Sequence, residues 1–511
     1  MKLKLVHVLG AAVCGLLTAA AFPKSDLMFL AWISLIPLFF LLAGKSPGRA
    51  FLLGGTAGVF FYGALLYWIP AVPAHYGGLS PVLSVLIYLL LIGLLALAWG
   101  LFGLGFAFIH RRQPLAAFLA APFLWVGGEY ILTHILSGFP WGVLGLSQAK
   151  NILFIQMSGL TGVYGVSFVL ILFQSLFVGS VRTSRRIPFV VGLVTLVLVH
   201  FGGYLSLRTP EPTAESFPAA VIQGNVSSDI YWSAVSEDRI LKVFEEHLDL
   251  SRQAADRGAK LIIWPEFTVP LCFSCGEGIY RESAARLTSW AKETGATLLL
   301  GTNERAGPLS DRKYFNAALC LSPSGGTTTY AKIHLVPFGE YTPYKKILGF
   351  IEKVTHAVGE VTPGREIVLH EYAGRSFGSP ICYEIIFPDL VRRFVKKGAS
   401  FLVTITNDGW YGTSSAPYQH FAQAVFRAVE NRRYLLRAAT TGISGIVDPY
   451  GRIVQQTDLG TRTLATGTIT PNLSLTFYAR FGDLFAAACL TIVSLFLILA
   501  FFNPLHRIPR K

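Results

Sequence analysis

What constrains this chain most is where its apolar residues lie. They form runs of about 17 to 28 residues before roughly position 207 and again after roughly position 482, each long enough for a helix to cross a bilayer core. About eight candidate spans follow, near 5–22, 27–43, 51–71, 81–109, 114–135, 152–180, 187–206 and 482–502. With 52% hydrophobic and only 14% charged residues, the balance is too apolar for an ordinary soluble protein. Between the runs the texture becomes that of a water-facing domain. The expected organisation is a helical membrane bundle of about seven helices over 1–207, one large globular domain over 208–481, and a last helix with a cytoplasmic tail over 482–511.

The formal net charge is +14, and its placement speaks for topology. Basic residues cluster in short connections: Lys2 and Lys4, Lys45 and Arg49, Arg111 and Arg112, Arg182, Arg185 and Arg186, then Arg507, Arg510 and Lys511. Setting all of these in the cytoplasm, as the positive-inside rule directs, sends 208–481 to the periplasm or cell exterior. No zinc-finger spacing, RNP-like motif or basic helix supports nucleic-acid binding. Residues 1–22 also read as a secretory signal peptide, but a second apolar run follows at once, so an uncleaved span is expected. Glu129 is the exceptional charge within the spans, and its place near the outer end fits a structural hydrogen bond as well as a functional path.

The outer segment shows strand-like runs at 219–223, 260–264, 297–301, 317–322, 327–333, 378–382, 401–406, 437–441 and 443–447. Helical patterns intervene at 236–256, 283–294, 388–397 and 417–434. That order predicts an α/β layered fold. The run Gly378-Ser379-Pro380-Ile381-Cys382-Tyr383-Glu384 closes a strand on a cysteine and turns into a helix, which exposes a side chain at the strand tip. A small core hydrophobe is the plain alternative for Cys382. Two other stretches argue against it, because Trp264-Pro265-Glu266 and the segment 330–340 with Lys332 each bring a titratable residue to a strand end. Of the remaining cysteines, Cys14 and Cys489 lie in spans and Cys320 in an alternating run. Cys272 and Cys275 form a C-x-x-C pair for which a disulfide, free thiols and a metal half-site are all open, although no second pair supports zinc.

Those three segments, in that order, resemble the signatures of the nitrilase (carbon–nitrogen hydrolase) superfamily. With the spans, and with segments 222–225, 334–341 and 406–412, the whole chain resembles its membrane-bound branch, the apolipoprotein N-acyltransferases. The resemblance implies an α-β-β-α sandwich beside a membrane bundle in the bacterial inner membrane, with the catalytic domain in the periplasm. It implies transfer of an acyl chain from a phospholipid to the N-terminal diacylglyceryl-cysteine of a lipoprotein, through a thioester, by a monomer without cofactor or metal. Cys382 is then the nucleophile, Glu266 the general base and Lys332 the cation. Glu340 and Glu384 orient Lys332, relay protons, or are plain salt bridges. Tyr383 shapes the pocket or packs. Asn316 and Trp232 resemble family positions that support the site or contact lipid, and Trp410 closes over an acyl chain or is a buried aromatic. His334 is expected to be structural. Segment 341–360, with apolar and basic faces, is expected to form a lid that dips into the bilayer. The alternative function is a membrane-tethered amidase or nitrilase that hydrolyses a small C–N substrate, although a tether needs one or two spans and not eight.

Overall fold

A computed structural model describes residues 4–208, 214–226, 237–267, 272–276, 278–307, 313–343 and 361–502. The expected lid, apart from 341–343, and Trp232 lie outside the described residues. The chain divides into two compact units: Met1–Pro70 with Val82–Thr209 and Phe481–Lys511, and Ala71–Pro81 with Pro210–Arg480.

The first unit is helical and apolar. Among the described residues, five of its helices are long and apolar enough to cross a membrane: Pro81–His110, Pro114–His134, Val163–Thr183, Ile187–Ser206 and Leu484–Phe502. Leu5–Ala20, Met28–Leu42 and Ile152–Thr161 are shorter apolar segments, and Pro47–Leu65 is a further helix. Close approach between helices depends on small residues, as expected where lipid offers no hydrophobic drive. A Cβ on Gly15 would sit 2.1 Å from the Ala57 carbonyl oxygen, and one on Gly54 2.2 Å from that of Trp99.

Two runs expected to be continuous are interrupted. The second opens as a 3-10 helix, Met28–Trp32, before Ile36–Leu42. Backbone freed there must find partners inside the protein. Buried Gln174 supplies them, its Nε2 donating to Ala31 O at 3.0 Å and its Oε1 accepting from Leu35 N at 2.8 Å. The sixth breaks into Ile152–Ile155, Ser158–Thr161 and Val163–Thr183, with Gly162 at φ +65°. Glu129 is buried and accepts from Trp125 Nε1 at 2.8 Å and Leu144 N at 2.7 Å, so it braces a turn.

The second unit is a four-layer sandwich. One sheet contains β1 (Phe217–Gln223), β2 (Leu261–Ile263), β3 (Thr297–Ala306), β4 (Lys313–Leu321) and β5 (Thr327–Ala331), and is completed by the late strand β12 (Thr463–Ile469) in the order β12-β1-β2-β3-β4-β5. The other contains β6 (His370–Tyr372), β7 (Arg375–Gly378), β8 (Phe401–Thr406), β9 (Leu435–Ala439), β10 (Gly445–Val447) and β11 (Ile453–Gln456), ordered β11-β10-β9-β8-β7-β6. Each sheet has a parallel centre, β1-β2-β3 or β7-β8-β9, with antiparallel flanks. The helices Glu237–Asp256 and Gly278–Thr294 connect strands of the first sheet, and Pro388–Lys396 and Ala416–Asn431 those of the second. β8, Phe-Leu-Val-Thr-Ile-Thr, is buried at every position, as expected of a central parallel strand covered on both faces. The strand expected over 378–382 stops at Gly378. Pro380 cannot donate to a ladder, and Cys382, at φ +50°, leaves the extended region.

Two buried histidines give this unit a pH signature. His247 packs against Trp264 with ring centroids 5.3 Å apart, and His370 lies between Thr328 and Ser379. Burial lowers them from 6.5 to about 4 and about 3. Both bind a proton more readily when unfolded, so the stability they contribute is complete above pH 6.5 and is lost as pH falls toward those values. Each costs at most about 1.4 kcal/mol per pH unit in that window. Thermal unfolding from pH 7 to pH 4 is therefore expected to show a falling midpoint, restored in part by His247→Phe. A flat profile would refute the assignment.

Candidate active site

Parallel strands in both sheets end at the same edge of the sandwich, where α/β proteins gather ligands. Glu266 follows β2, Lys332 follows β5, Cys382 follows β7 and Asn407 follows β8. All four are buried.

Lys332, 1% exposed, reaches two carboxylates. Its Nζ lies 2.9 Å from Glu340 Oε1 and 3.4 Å from Glu266 Oε1. Asn316, on β4, donates from one Nδ2 to the same two oxygens at 2.7 Å each. The other oxygen of Glu266 accepts from Asn407 N at 2.8 Å, and that of Glu340 from Val336 N at 2.7 Å. Burial alone would pull Lys332 down. Glu340 first, then Glu266 and Cys382, more than offset this and hold the ammonium well above its ordinary value. A buried cation shared by two carboxylates is a fixed charge, whereas an exposed pair contributes little.

Cys382 opens the 3-10 turn Cys382–Ile386. Burial, then the Glu266 carboxylate, push its thiol well above the usual value, while Lys332 and a hydrogen bond with Thr406 pull the other way. The sulfur thus has both a carboxylate and an ammonium in electrostatic contact.

Glu384 does not hydrogen-bond the Lys332 amine; it clamps backbone. Its Oε1 accepts from Ile333 N (2.7 Å), His334 N (3.0 Å) and Tyr330 Oη (2.8 Å), and its Oε2 from Ile381 N (2.7 Å). One carboxylate thus ties the chain after Lys332 to the turn before Cys382. A surface salt bridge is excluded for Glu340 and Glu384, both buried. Tyr383 is buried near His334, ring centroids 5.7 Å apart, and His334 stacks on Phe387 at 3.8 Å. Trp410 meets Tyr76 edge-on at 4.7 Å, while Tyr76 Oη donates to Gly409 O at 3.0 Å.

Sequence reasoning gave no role to His420, Arg437 and Tyr76, and took in Asn407 and Asp408 only as part of segment 406–412. Asn407 and Asp408 follow β8 directly and were legible as polar residues at a strand tip. Tyr76 carried no signal, being some 330 positions away from its partner. Cys272 and Cys275 form a disulfide, and the loop they close donates from Phe273 N, Ser274 N and Ser274 Oγ to the carboxylate of Glu304. Among the described residues no His, Cys, Asp and Glu side chains are grouped so as to hold a metal ion.

Residues 219–476 match the carbon-nitrogen hydrolase family, and residues 14–176 match the apolipoprotein N-acyltransferase N-terminal domain. The chain is 37% identical over 504 residues to an apolipoprotein N-acyltransferase of Geobacter metallireducens, covering 96% of this chain and 94% of that one. It is 31% identical to one from Nitrosomonas europaea, covering 90% of each, and 32% identical to one from Pseudomonas putida, covering 92% of each. Among solved structures, it is similar to an amidase from Nesterenkonia sp. (20% identity, TM-score 0.38, 52% of this chain and 93% of that one). It is also similar to Saccharomyces cerevisiae Nit3 (18% identity, TM-score 0.40, 53% and 97%).

Proposed function

The chain belongs to the apolipoprotein N-acyltransferase family, and from that premise we propose that it moves a fatty acyl chain from a phospholipid to the α-amino group of a lipoprotein's N-terminal diacylglyceryl-cysteine. We further propose Cys382, Glu266 and Lys332 as its catalytic residues. The observation that carries this reading is the buried cluster in which Lys332 lies between Glu266 and Glu340 and favours the thiolate of Cys382.

In the first half-reaction Glu266 takes the Cys382 proton and Sγ attacks the ester carbonyl carbon. Negative charge passes to the carbonyl oxygen, where the Lys332 ammonium lowers its energy. Collapse breaks the ester C–O bond, and the departing lysophospholipid oxygen takes the proton from Glu266. A thioester remains. In the second half-reaction the acceptor amine attacks the thioester carbon and gives a proton to Glu266. The C–S bond breaks, and the sulfur recovers a proton as the amide is released. Glu340 and Asn316 hold Lys332 and Glu266 in place throughout. Glu384 holds the two loops that carry Lys332 and Cys382 in register.

The helical unit supplies access to lipid. We place the protein in the bacterial inner membrane with the Cys382 domain on the periplasmic side, a placement supported by the distribution of basic residues across the short connections. We take it to act as a monomer.

The test is intact mass of the purified protein after incubation with phospholipid. A gain of one fatty-acyl mass is expected, lost to hydroxylamine and lost again to a diacylglyceryl-cysteine peptide with a free amine. A folded protein with a reactive Cys382 that gains no mass, yet hydrolyses small amides, would replace this reading with that of an amidase.

A further inference from the structure

Beneath the nucleophile lies a second charged cluster that the reaction above does not use. Asp408, His420 and Arg437 are each without exposed surface. Asp408 Oδ2 accepts from Arg437 Nη2 at 2.7 Å, and Asp408 Oδ1 lies 3.0 Å from His420 Nδ1. Arg437 Nη2 also lies 3.0 Å from His420 Nδ1, and its Nε donates to Ile443 O at 3.2 Å. On the far side of the ring, His420 Nε2 is 3.2 Å from the carbonyl oxygen of Cys382. Thr406 links the cluster to the thiol as well, donating to Asp408 Oδ1 at 3.1 Å and hydrogen-bonding with the Cys382 side chain.

We propose that His420 is a positioning residue for Cys382, its ring held by Arg437, which Asp408 fixes in turn, so that Nε2–H fixes the carbonyl of the nucleophile. This rests on the reading of Cys382 as nucleophile given above. Cys382 sits at φ +50°, a conformation that costs a non-glycine residue about 1–3 kcal/mol and persists only where the surroundings dictate it. Two hydrogen bonds bracket it: Ile381 N to Glu384 Oε2 on the near side, and Cys382 O from His420 on the far side. A carbonyl oxygen only accepts, which assigns the hydrogen to Nε2. Nδ1 is then the acceptor for Arg437. Burial, followed by the Arg437 guanidinium, pulls His420 below its usual value, in keeping with a neutral ring. A neutral donor held in this way aims the sulfur without adding charge to the site.

Two polar substitutions separate positioning from mere filling. In His420→Gln the amide nitrogen reaches as far as Nε2 and can donate to Cys382 O. In His420→Asn it ends near Nδ1 and cannot. The full-length protein in detergent is assayed for single-turnover acylation by phospholipid, read as intact mass, and for alkylation of Cys382 by iodoacetamide. The Gln variant is expected within about tenfold of wild type in both assays. The Asn variant is expected to be acylated about 100-fold more slowly, the scale of a misplacement of about 1 Å, and to be alkylated more slowly too. Equal rates for the two variants would overturn the proposal, as would a Gln variant as slow as Asn. If wild type takes no acyl group while its alkylation matches Gln and exceeds Asn, the positioning role stands and the acyl-transfer reading falls. Should neither variant fold, Asp408→Ala, which frees Arg437 and so loosens the ring it holds, is expected to slow alkylation; a wild-type rate would overturn the proposal.

Discussion

Cys382→Ala is expected to take up no acyl mass from phospholipid and to lose turnover by on the order of 10⁶-fold, the scale seen when a covalent nucleophile is removed. The fold should survive. Alanine accepts the +50° φ of this position no worse than cysteine, and the lost sulfur leaves a void costing about 1 kcal/mol. The variant should therefore purify and melt close to wild type, so that the loss is chemical. The other free cysteines offer no replacement. Cys14 and Cys489 are buried in the helical unit, and Cys320 lies buried in β4, where burial and the Glu371 carboxylate raise its thiol without the lysine that acts on Cys382. An adduct that persists on Cys382→Ala would refute the assignment of the nucleophile.

Lys332→Met should have the second-largest effect, and it should act on stability and chemistry together. Methionine fills much of the slot but leaves Glu266 and Glu340 facing one Asn316 amide with no cation between them. Leaving buried charge uncompensated costs about 3–5 kcal/mol, and part of this is relieved when one carboxylate takes a proton. If that carboxylate is Glu266, the general base is lost as well. Acylation is expected to fall by at least about 10²–10³-fold, the scale of one electrostatic contact in the transition state. Alkylation of Cys382 should require higher pH than in wild type, because the ammonium that favours the thiolate is gone. Lys332→Arg should not rescue acylation, since a planar fork does not fit a slot shaped for a point charge. A Met variant with wild-type acylation and an unmoved alkylation profile would show that Lys332 has no part in the chemistry.

How much was readable beforehand follows a physical line. Glu266, Lys332 and Cys382 could be picked out because each stands at what reads as a strand end, in that chain order, and strand ends are where side chains leave the core. Glu340 and Asn316 were found with them but with their tasks unassigned, since which carboxylate faces a lysine depends on loop geometry that no periodicity encodes. His420 and Arg437 were hidden. One lies in a helix and the other in a strand, each fully buried, and both look like isolated polar residues until Asp408 joins them across the fold. β11 and β12 escaped for another reason. The four residues of β11 are all exposed and β12 is rich in threonine, so neither shows the apolar signal by which strands are read. In the helical unit the broken second and sixth runs look continuous, because a 3-10 turn braced by Gln174 has the same hydropathy as a helix.

The split of the site between two sheets bears on the life of the chain before it is finished. Glu266 and Lys332 extend from β2 and β5 of one sheet, Cys382 and Asn407 from β7 and β8 of the other, and the strand that completes the first sheet, β12, is among the last parts of the domain in the chain. A partly made or partly folded chain therefore carries an ordinary cysteine, far from any base or cation. If the proposed roles hold, reactivity depends on the docking of the sheets. On the assignment proposed above, a half-made chain is expected to take up no acyl group from phospholipid.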